Sequence, residues 1–225
     1  LLVEFLSDYS SERTLDYREK KKGSSVKKKT RLVSPHKYLN KKEIFSAIIT
    51  MIILSLVLSW TWVPDLSMFW ELFVLTLIVV ACIIFVRESL RSYLCFKKQI
   101  SSEFYIWPLG GIMMFVSTII GNTFSLAANH TYDSQSDIKK CGRINFFVSL
   151  VLYLIILAGF IGNILYPSIV LQMIVIVTVL NLFIDLFPFK PMDGYEIRHW
   201  NIFLWAILYV VVIVSYVVVY FNIYP

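Results

Sequence analysis

Two short stretches of this chain carry the residue types from which an active site in a membrane could be built. One is Arg87-Glu-Ser-Leu-Arg91, and the other is Asp185-Leu-Phe-Pro-Phe-Lys-Pro-Met-Asp-Gly194. The second stretch follows an apolar run, and its prolines place irregular backbone and a carboxylate at the predicted edge of the bilayer. An ionisable group is costly there unless protein or water receives it, so the stretch indicates a functional site.

The elements that must position these residues are membrane-spanning helices. The 225-residue chain is 58% hydrophobic and only 16% charged, with a mean hydropathy of +0.71, which excludes an ordinary soluble domain. Several apolar runs approach the ~20 residues needed to cross a bilayer. We predict an all-α polytopic membrane protein whose membrane domain covers residues 44–225. Its five predicted spans cover residues 44–63, 66–86, 144–165, 168–187 and 202–219.

The basic residues predict the orientation of these spans. Residues 1–42 hold 12 of the 21 Lys and Arg, and the other basic clusters follow the second and fourth spans or precede the third. Under the positive-inside rule the N-terminus is cytoplasmic and the C-terminus lies outside, and we expect the plasma membrane. The tail, residues 1–43, is expected to attract anionic lipid headgroups, and no nucleic-acid partner is expected.

One further apolar segment, residues 104–128, tests this topology. A single crossing there would put the basic clusters on opposite faces, and Pro108, Gly110, Gly111 and Gly121 weaken a continuous helix. We therefore predict a re-entrant hairpin or a membrane-dipping sheet. Such a segment must pack against the helices or line a cavity.

The two polar stretches resemble the active-site motifs of site-2 proteases, the intramembrane zinc metalloproteases, particularly the small archaeal type. Asp185-x-x-Pro-x-x-Pro-x-Asp193-Gly194 is similar to the family's second motif, although the family usually has Asn at the first position. Arg87-Glu88-x-x-Arg91 stands where the family has His-Glu-x-x-His. Weaker similarities at residues 103–110 and 141–145 follow in the same order. The resemblance covers roughly residues 38–201 and implies a site-2-protease-like core.

The resemblance implies a zinc site whose ligands are replaced in this chain. Glu88 matches the general base and Asp193 the third ligand, whereas Arg87 and Arg91 match the two metal-binding His positions. Guanidinium has no lone pair to donate and stays protonated, so neither Arg can bind zinc. The remaining histidines, His36, His130 and His199, offer no His-x-x-x-His spacing. We therefore expect no metal, no cofactor and no catalysis, with Glu88 and Asp193 as vestiges.

The two arginines lead to two interpretations. In the first, Arg87 and Arg91 pair with Asp185 and Asp193, so that an ion-pair network replaces the metal as the tie between the second and fourth spans. In the second, both side chains extend to the cytoplasmic surface under the positive-inside bias.

Two functions from different classes follow. We expect a catalytically inactive protease homologue that acts as a structural or interaction subunit of a membrane complex, with transmembrane protein partners and the lipid bilayer around it. The alternative is an active intramembrane protease with a non-standard site built on Glu88 and Asp193. A transporter or channel has little support, because the chain lacks an internal repeat.

Overall fold

Long apolar runs form the helices of this protein, because a backbone without water must satisfy its hydrogen bonds internally. The computed structural model describes residues 41–62, 66–106, 108–119, 128–132, 137–190 and 192–222. In chain order it contains the following elements: α1 (Lys41–Trp62), a 3₁₀ turn (Leu66–Met68), α2 (Phe69–Lys97), β1 (Ser102–Ile106), α3 (Pro108–Ile119), β2 (Ala128–Tyr132), α4 (Ile138–Leu165), α5 (Ile169–Asp185), α6 (Asp193–Trp200) and α7 (Ile202–Asn222).

Four of the described helices, α1, α2, α4 and α7, are long and apolar enough to cross a membrane. The prediction of a predominantly helical membrane protein is therefore confirmed. The predicted span 168–187 corresponds to α5, which has 17 residues and at 1.5 Å per residue reaches only about 26 Å, against a hydrocarbon core of about 30 Å. The predicted orientation of the termini stays a prediction, and most of the tail, residues 1–40, lies outside the described residues.

The bounds of two helices differ from the predicted spans. Helix α2 continues through Arg87, Glu88 and Arg91 to Lys97, although the predicted span stopped at residue 86, and α4 begins at Ile138 rather than at residue 144. The apolar-run rule ends a span at the first charges. A helix continues past them when buried partners receive those charges, as they do in α2.

A Schellman turn ends α2 and directs the chain into β1. The Ile100 amide donates to the Cys95 carbonyl and the Gln99 amide to the Phe96 carbonyl, while Gln99 takes a φ of 54°. Ile100 and Cys95 then pack in one buried apolar cluster, which is the contact that usually accompanies this turn.

The segment predicted as a hairpin or sheet contains two strands and a short helix. β1 and β2 pair antiparallel, with Ser102 opposite Tyr132 and Ile106 opposite Ala128, and α3 lies between them in the sequence. The two ends of this segment thus lie side by side. A membrane-dipping sheet is one of the two structures predicted for the segment, although the all-α fold class does not include a sheet.

Helix α5 lies in the middle of the bundle, and every residue from Val175 to Leu180 is buried. It packs against α2, α4 and α7, while α6 packs against α4 and α7 and α1 packs against α2 and β1. Neighbouring elements rather than water surround this stretch of α5, which is why it can be apolar on every side. The end of α5 and the start of α6 therefore bring their polar residues into the interior beside α2.

Candidate functional site

Helix α2 places three charged side chains in the protein interior. Arg87, Glu88 and Arg91 are 8%, 1% and 0% exposed. Residues at positions i and i+4 of a helix lie on one face, so the two arginines are neighbours. A buried charge is rare unless it is paired, and each of these three has partners on other elements.

Arg91 pairs with Asp193 at the start of α6 through two parallel hydrogen bonds. Its Nη1 donates to Asp193 Oδ1 at 2.8 Å and its Nη2 donates to Asp193 Oδ2 at 2.5 Å. Nη1 also donates to Asn145 Oδ1 of α4 at 3.2 Å. Burial on its own would raise the pKa of Asp193, but the hydrogen bonds and charge of Arg91, with the charges of Arg87 and His130, together hold the pKa below its ordinary value. The surroundings thus favour the ionised carboxylate.

Arg87 lies among three carboxylates. Its Nη1 is 2.7 Å from Asp185 Oδ2, its Nε is 3.3 Å from Glu88 Oε1, and its Nη2 is 4.0 Å from Asp193 Oδ2. Asp185 is the last residue of α5 and Asp193 the first of α6. Arg87 therefore holds both ends of the Pro-rich turn against α2.

The strand β2 contributes a side chain that the sequence did not connect with the site. His130 is buried, and its Nε2 contacts Glu88 Oε2 while its ring packs against Phe104 at a centroid separation of 5.2 Å. Burial lowers the pKa of His130, and the charge of Glu88 offsets part of that shift. His130 lies 42 residues from Glu88 and in no metal-binding spacing, so only the pairing of β2 with β1 brings it here.

A second residue of β2 reaches α4 from the same face of the strand. Residues two apart on a strand point to one side, and the Tyr132 hydroxyl donates to Asn145 Oδ1. Asn145 is fully buried and also accepts from Arg91. From the sequence, Asn145 belonged only to a weak family similarity. A polar side chain near the start of the predicted span 144–165 was the signal that could have identified it.

Two glycines allow the backbones around the site to approach each other. A Cβ atom on Gly142 would lie 2.2 Å from the Glu196 carbonyl oxygen, and one on Gly194 would lie 2.1 Å from the Leu186 carbonyl oxygen. No side chain fits at such distances. The absence of a side chain at Gly142 therefore allows α4 to pack closely against α6. At Gly194 it allows the tight turn that places Asp193 beside α2.

The four residues of the hypothesised ion-pair network, Arg87, Arg91, Asp185 and Asp193, lie together in one buried cluster with Glu88. Their burial and pairing differ from the other expectation, in which both arginines extend to the surface. Of the remaining histidines, His199 is exposed on α6, where its Nδ1 lies 2.7 Å from the Tyr195 carbonyl, and His36 lies outside the described residues.

The residues of this cluster do not fit a zinc ion. Both oxygens of Asp193 already accept from Arg91, and the two guanidinium groups beside the carboxylates have no lone pair to offer a metal. Within the described part of the chain, no three His, Cys, Asp or Glu side chains are grouped so that they could hold a metal ion. The arrangement instead joins five elements, α2, α4, α5, α6 and β2, through ion pairs and hydrogen bonds.

Comparison with protein-family models, with curated proteins and with solved structures finds no match to this chain.

Proposed function

We propose that this chain is a catalytically inactive relative of the site-2 proteases that serves as a structural or interaction subunit of a membrane complex. The observation that carries the proposal is the bidentate pairing of Arg91 with Asp193. In the resembled family these two positions would hold a metal. In this chain the two side chains form hydrogen bonds with each other instead.

The placement of the matched residues supports the resemblance. Arg87 and Arg91, which match the metal-binding His positions, both approach Asp193, which matches the third ligand. Glu88, which matches the general base, lies beside them on the same helix. Arg91 and Asp193, 102 positions apart in the sequence, therefore meet, and this contact supports the resemblance.

The state of Glu88 supports the loss of hydrolysis. A general base needs hydrogen-bond access to the water that it deprotonates. Glu88 is 1% exposed and contacts His130 and Arg87. Amide hydrolysis would also need a Lewis acid or another means to polarise the carbonyl and activate water, and two arginines occupy that place.

The outer surface supports an interaction role. Helix α7 is the least enclosed of the four membrane-length helices. Its outward face carries large apolar side chains at a repeating spacing of four and three residues, among them Phe203, Ile207, Val210 and Val214. Such a face packs against lipid or against a partner helix. We propose that partner transmembrane helices bind along it.

The catalytic half of the proposal is tested with the full chain in liposomes that contain fluorogenic single-span peptides, with and without added zinc. Wild type and Glu88→Ala should show the same background signal. Hydrolysis that depends on Glu88 would overturn the proposal in favour of the alternative, a protease with a non-standard site built on Glu88 and Asp193.

The interaction half is tested by photocrosslinking in cells. A photoreactive amino acid at Ile207, which is 63% exposed, should give a discrete adduct with a membrane protein, whereas the same group at the neighbouring Leu208, which is 5% exposed, should not. If neither position gives a protein adduct, α7 faces lipid only and the interaction role on this face is wrong.

A further inference from the structure

The exposed basic side chains lie at one end of the bundle. Among the residues whose side chains the structure describes, every exposed Lys and Arg lies at the end where α2 and α5 finish and α4 begins. These residues are Lys97, Lys98, Lys139, Lys140, Arg143, Lys190 and Arg198. Glu71, by contrast, is exposed near the start of α2, at the opposite end. The folded core is therefore polarised in charge, independently of the basic tail.

Two of these cations lie over aromatic rings. The Arg143 guanidinium is 5.6 Å from the centroid of the Trp200 ring, and the Lys190 ammonium is 5.0 Å from the Tyr195 ring. Both rings belong to α6, a short helix that lies between α5 and α7 in the chain. Cations and aromatic rings occur together at this depth in membrane proteins because both suit the headgroup layer.

An exposed apolar side chain adjoins the cations. Phe189, next to Lys190 in the α5–α6 turn, is 65% exposed. A large apolar group beside a lysine suits the boundary between acyl chains and headgroups. Lys190, Phe189 and the α6 aromatics thus form an amphipathic surface at the level where lipid headgroups lie.

Few acidic groups oppose these cations. Among the described residues at this end, the exposed carboxylates are Glu103 and Asp137, against seven exposed Lys and Arg. Glu196 of α6 is half-buried, and burial together with the charge of Asp193 raises its pKa to about 7, so only about half of this carboxyl group is ionised at pH 7. The surface is therefore complementary to anions.

We propose that this surface, formed by Arg143, Lys190 and Arg198 with Trp200 and Tyr195, binds the headgroups of anionic phospholipids. The basic tail is not needed for this binding. The binding also holds whether or not the chain is a protease relative, because it depends on the surface of α4 and α6 and not on the buried cluster.

The test uses the full chain in detergent micelles with brominated phosphatidylglycerol or brominated phosphatidylcholine, whose bromine atoms quench nearby tryptophans. Trp200 is isolated as the difference between wild type and Trp200→Phe. We expect Trp200 to be quenched at a lower mole fraction of phosphatidylglycerol than of phosphatidylcholine. Each cation removed by Arg143→Gln, Lys190→Gln or Arg198→Gln should lower the phosphatidylglycerol affinity about fivefold.

The matched control replaces Lys27, Lys28 and Lys29 of the tail by Gln, which removes three charges and leaves Arg143, Lys190 and Arg198 in place. It should keep the phosphatidylglycerol preference at Trp200. Equal quenching by the two lipids in wild type would overturn the proposal and favour an acidic protein segment as the partner of these cations. The proposal would also be overturned if the tail variant lost the phosphatidylglycerol preference while the Arg143, Lys190 and Arg198 variants kept it. The tail would then be the site that binds the lipid.

A salt titration of the wild type provides a second measurement that needs no substitution. Headgroup binding by exposed cations weakens as the Debye length falls from about 10 Å at 0.1 M salt to about 3 Å at 1 M. The phosphatidylglycerol preference at Trp200 should fall toward that of phosphatidylcholine over this range. A preference that is independent of salt would contradict the proposal.

Discussion

Arg91 and Asp193 stand 102 positions apart in the sequence and face each other through two hydrogen bonds in the interior of the bundle. Arg91 is fully buried and Asp193 is 4% exposed. Water cannot solvate either charge if the other is removed, so each depends on its partner. This pair fixes α6 against α2. A second ion pair, between Arg87 and Asp185, joins α2 to the end of α5.

Removing one partner of this pair should destabilise the protein strongly. Arg91→Met or Asp193→Leu alone should lower the free energy of unfolding by about 3–5 kcal/mol, because an unpaired buried charge remains. The double variant Arg91→Met/Asp193→Leu should lose much less than the sum of the single losses. Unfolding of the purified protein in detergent, read from tryptophan fluorescence, measures all three.

Additive losses in that double-mutant cycle would contradict the pairing. A matched control is Arg143→Met on the exposed end of α4, whose charge is solvated. Its unfolding midpoint should change little.

Substitution of the two close-approach glycines should also destabilise the fold. Gly142→Ala and Gly194→Ala each place a methyl group within 2.2 Å of a backbone carbonyl oxygen, which only a backbone shift can relieve. Overpacking of this kind costs about 1–3 kcal/mol or more. Gly111→Ala in α3 is the matched control, since nothing lies within 4 Å of the point that a Cβ atom would occupy there, and it should be neutral or stabilise α3 by up to about 1 kcal/mol. Equal effects at all three glycines would contradict the close packing.

Loss of the hydrogen bond between Tyr132 of β2 and Asn145 of α4 should lower the stability of the protein by a smaller amount. Tyr132→Phe removes the hydroxyl that donates to Asn145 and should cost about 1 kcal/mol, because Arg91 continues to donate to the same oxygen. It should also speed hydrogen exchange in β2. Tyr153→Phe is the control, since the Tyr153 hydroxyl makes a long contact of 3.4 Å with Ser215, away from the strand. If exchange in β2 is unchanged in Tyr132→Phe, the strand is held by other contacts.

Glu196 should make stability depend on pH near neutrality. Burial raises the pKa of Glu196 from 4.5 to about 7 in the folded protein, so the folded state keeps a proton that the unfolded state releases. Stability from this group is therefore fully present below about pH 4.5 and is lost as the pH rises to about 7. The difference in unfolding free energy between wild type and Glu196→Gln should fall across this window and be flat on either side. A difference that rises with pH would contradict the burial of the acid.

The sequence predicted the helical membrane class, because apolar runs are local signals. Its short motifs also led to an ion-pair network of Arg87, Arg91, Asp185 and Asp193 as one of two interpretations, with Glu88 as a vestige. It did not connect His130, Tyr132 and Asn145 with the cluster. Those three meet through the pairing of β1 with β2 and the packing of α4 on α6, which depend on contacts distant in the sequence. It also ended the second span at residue 86, because composition does not reveal that Arg87 and Arg91 find buried partners.

The most direct measurement is the metal content of the purified, detergent-solubilised full chain. It is compared between wild type, Asp193→Ala and the double variant Arg87→His/Arg91→His, and it distinguishes an arginine–aspartate cluster from a zinc site. If Arg87 and Arg91 replace the metal on a site-2-protease-like scaffold, wild type and Asp193→Ala should both hold less than about a tenth of an equivalent of zinc. The double variant should gain zinc, and adding Asp193→Ala to it should remove that zinc. Near-stoichiometric zinc in wild type, lost in Asp193→Ala, would contradict the replacement of the metal and restore Glu88 as a candidate general base.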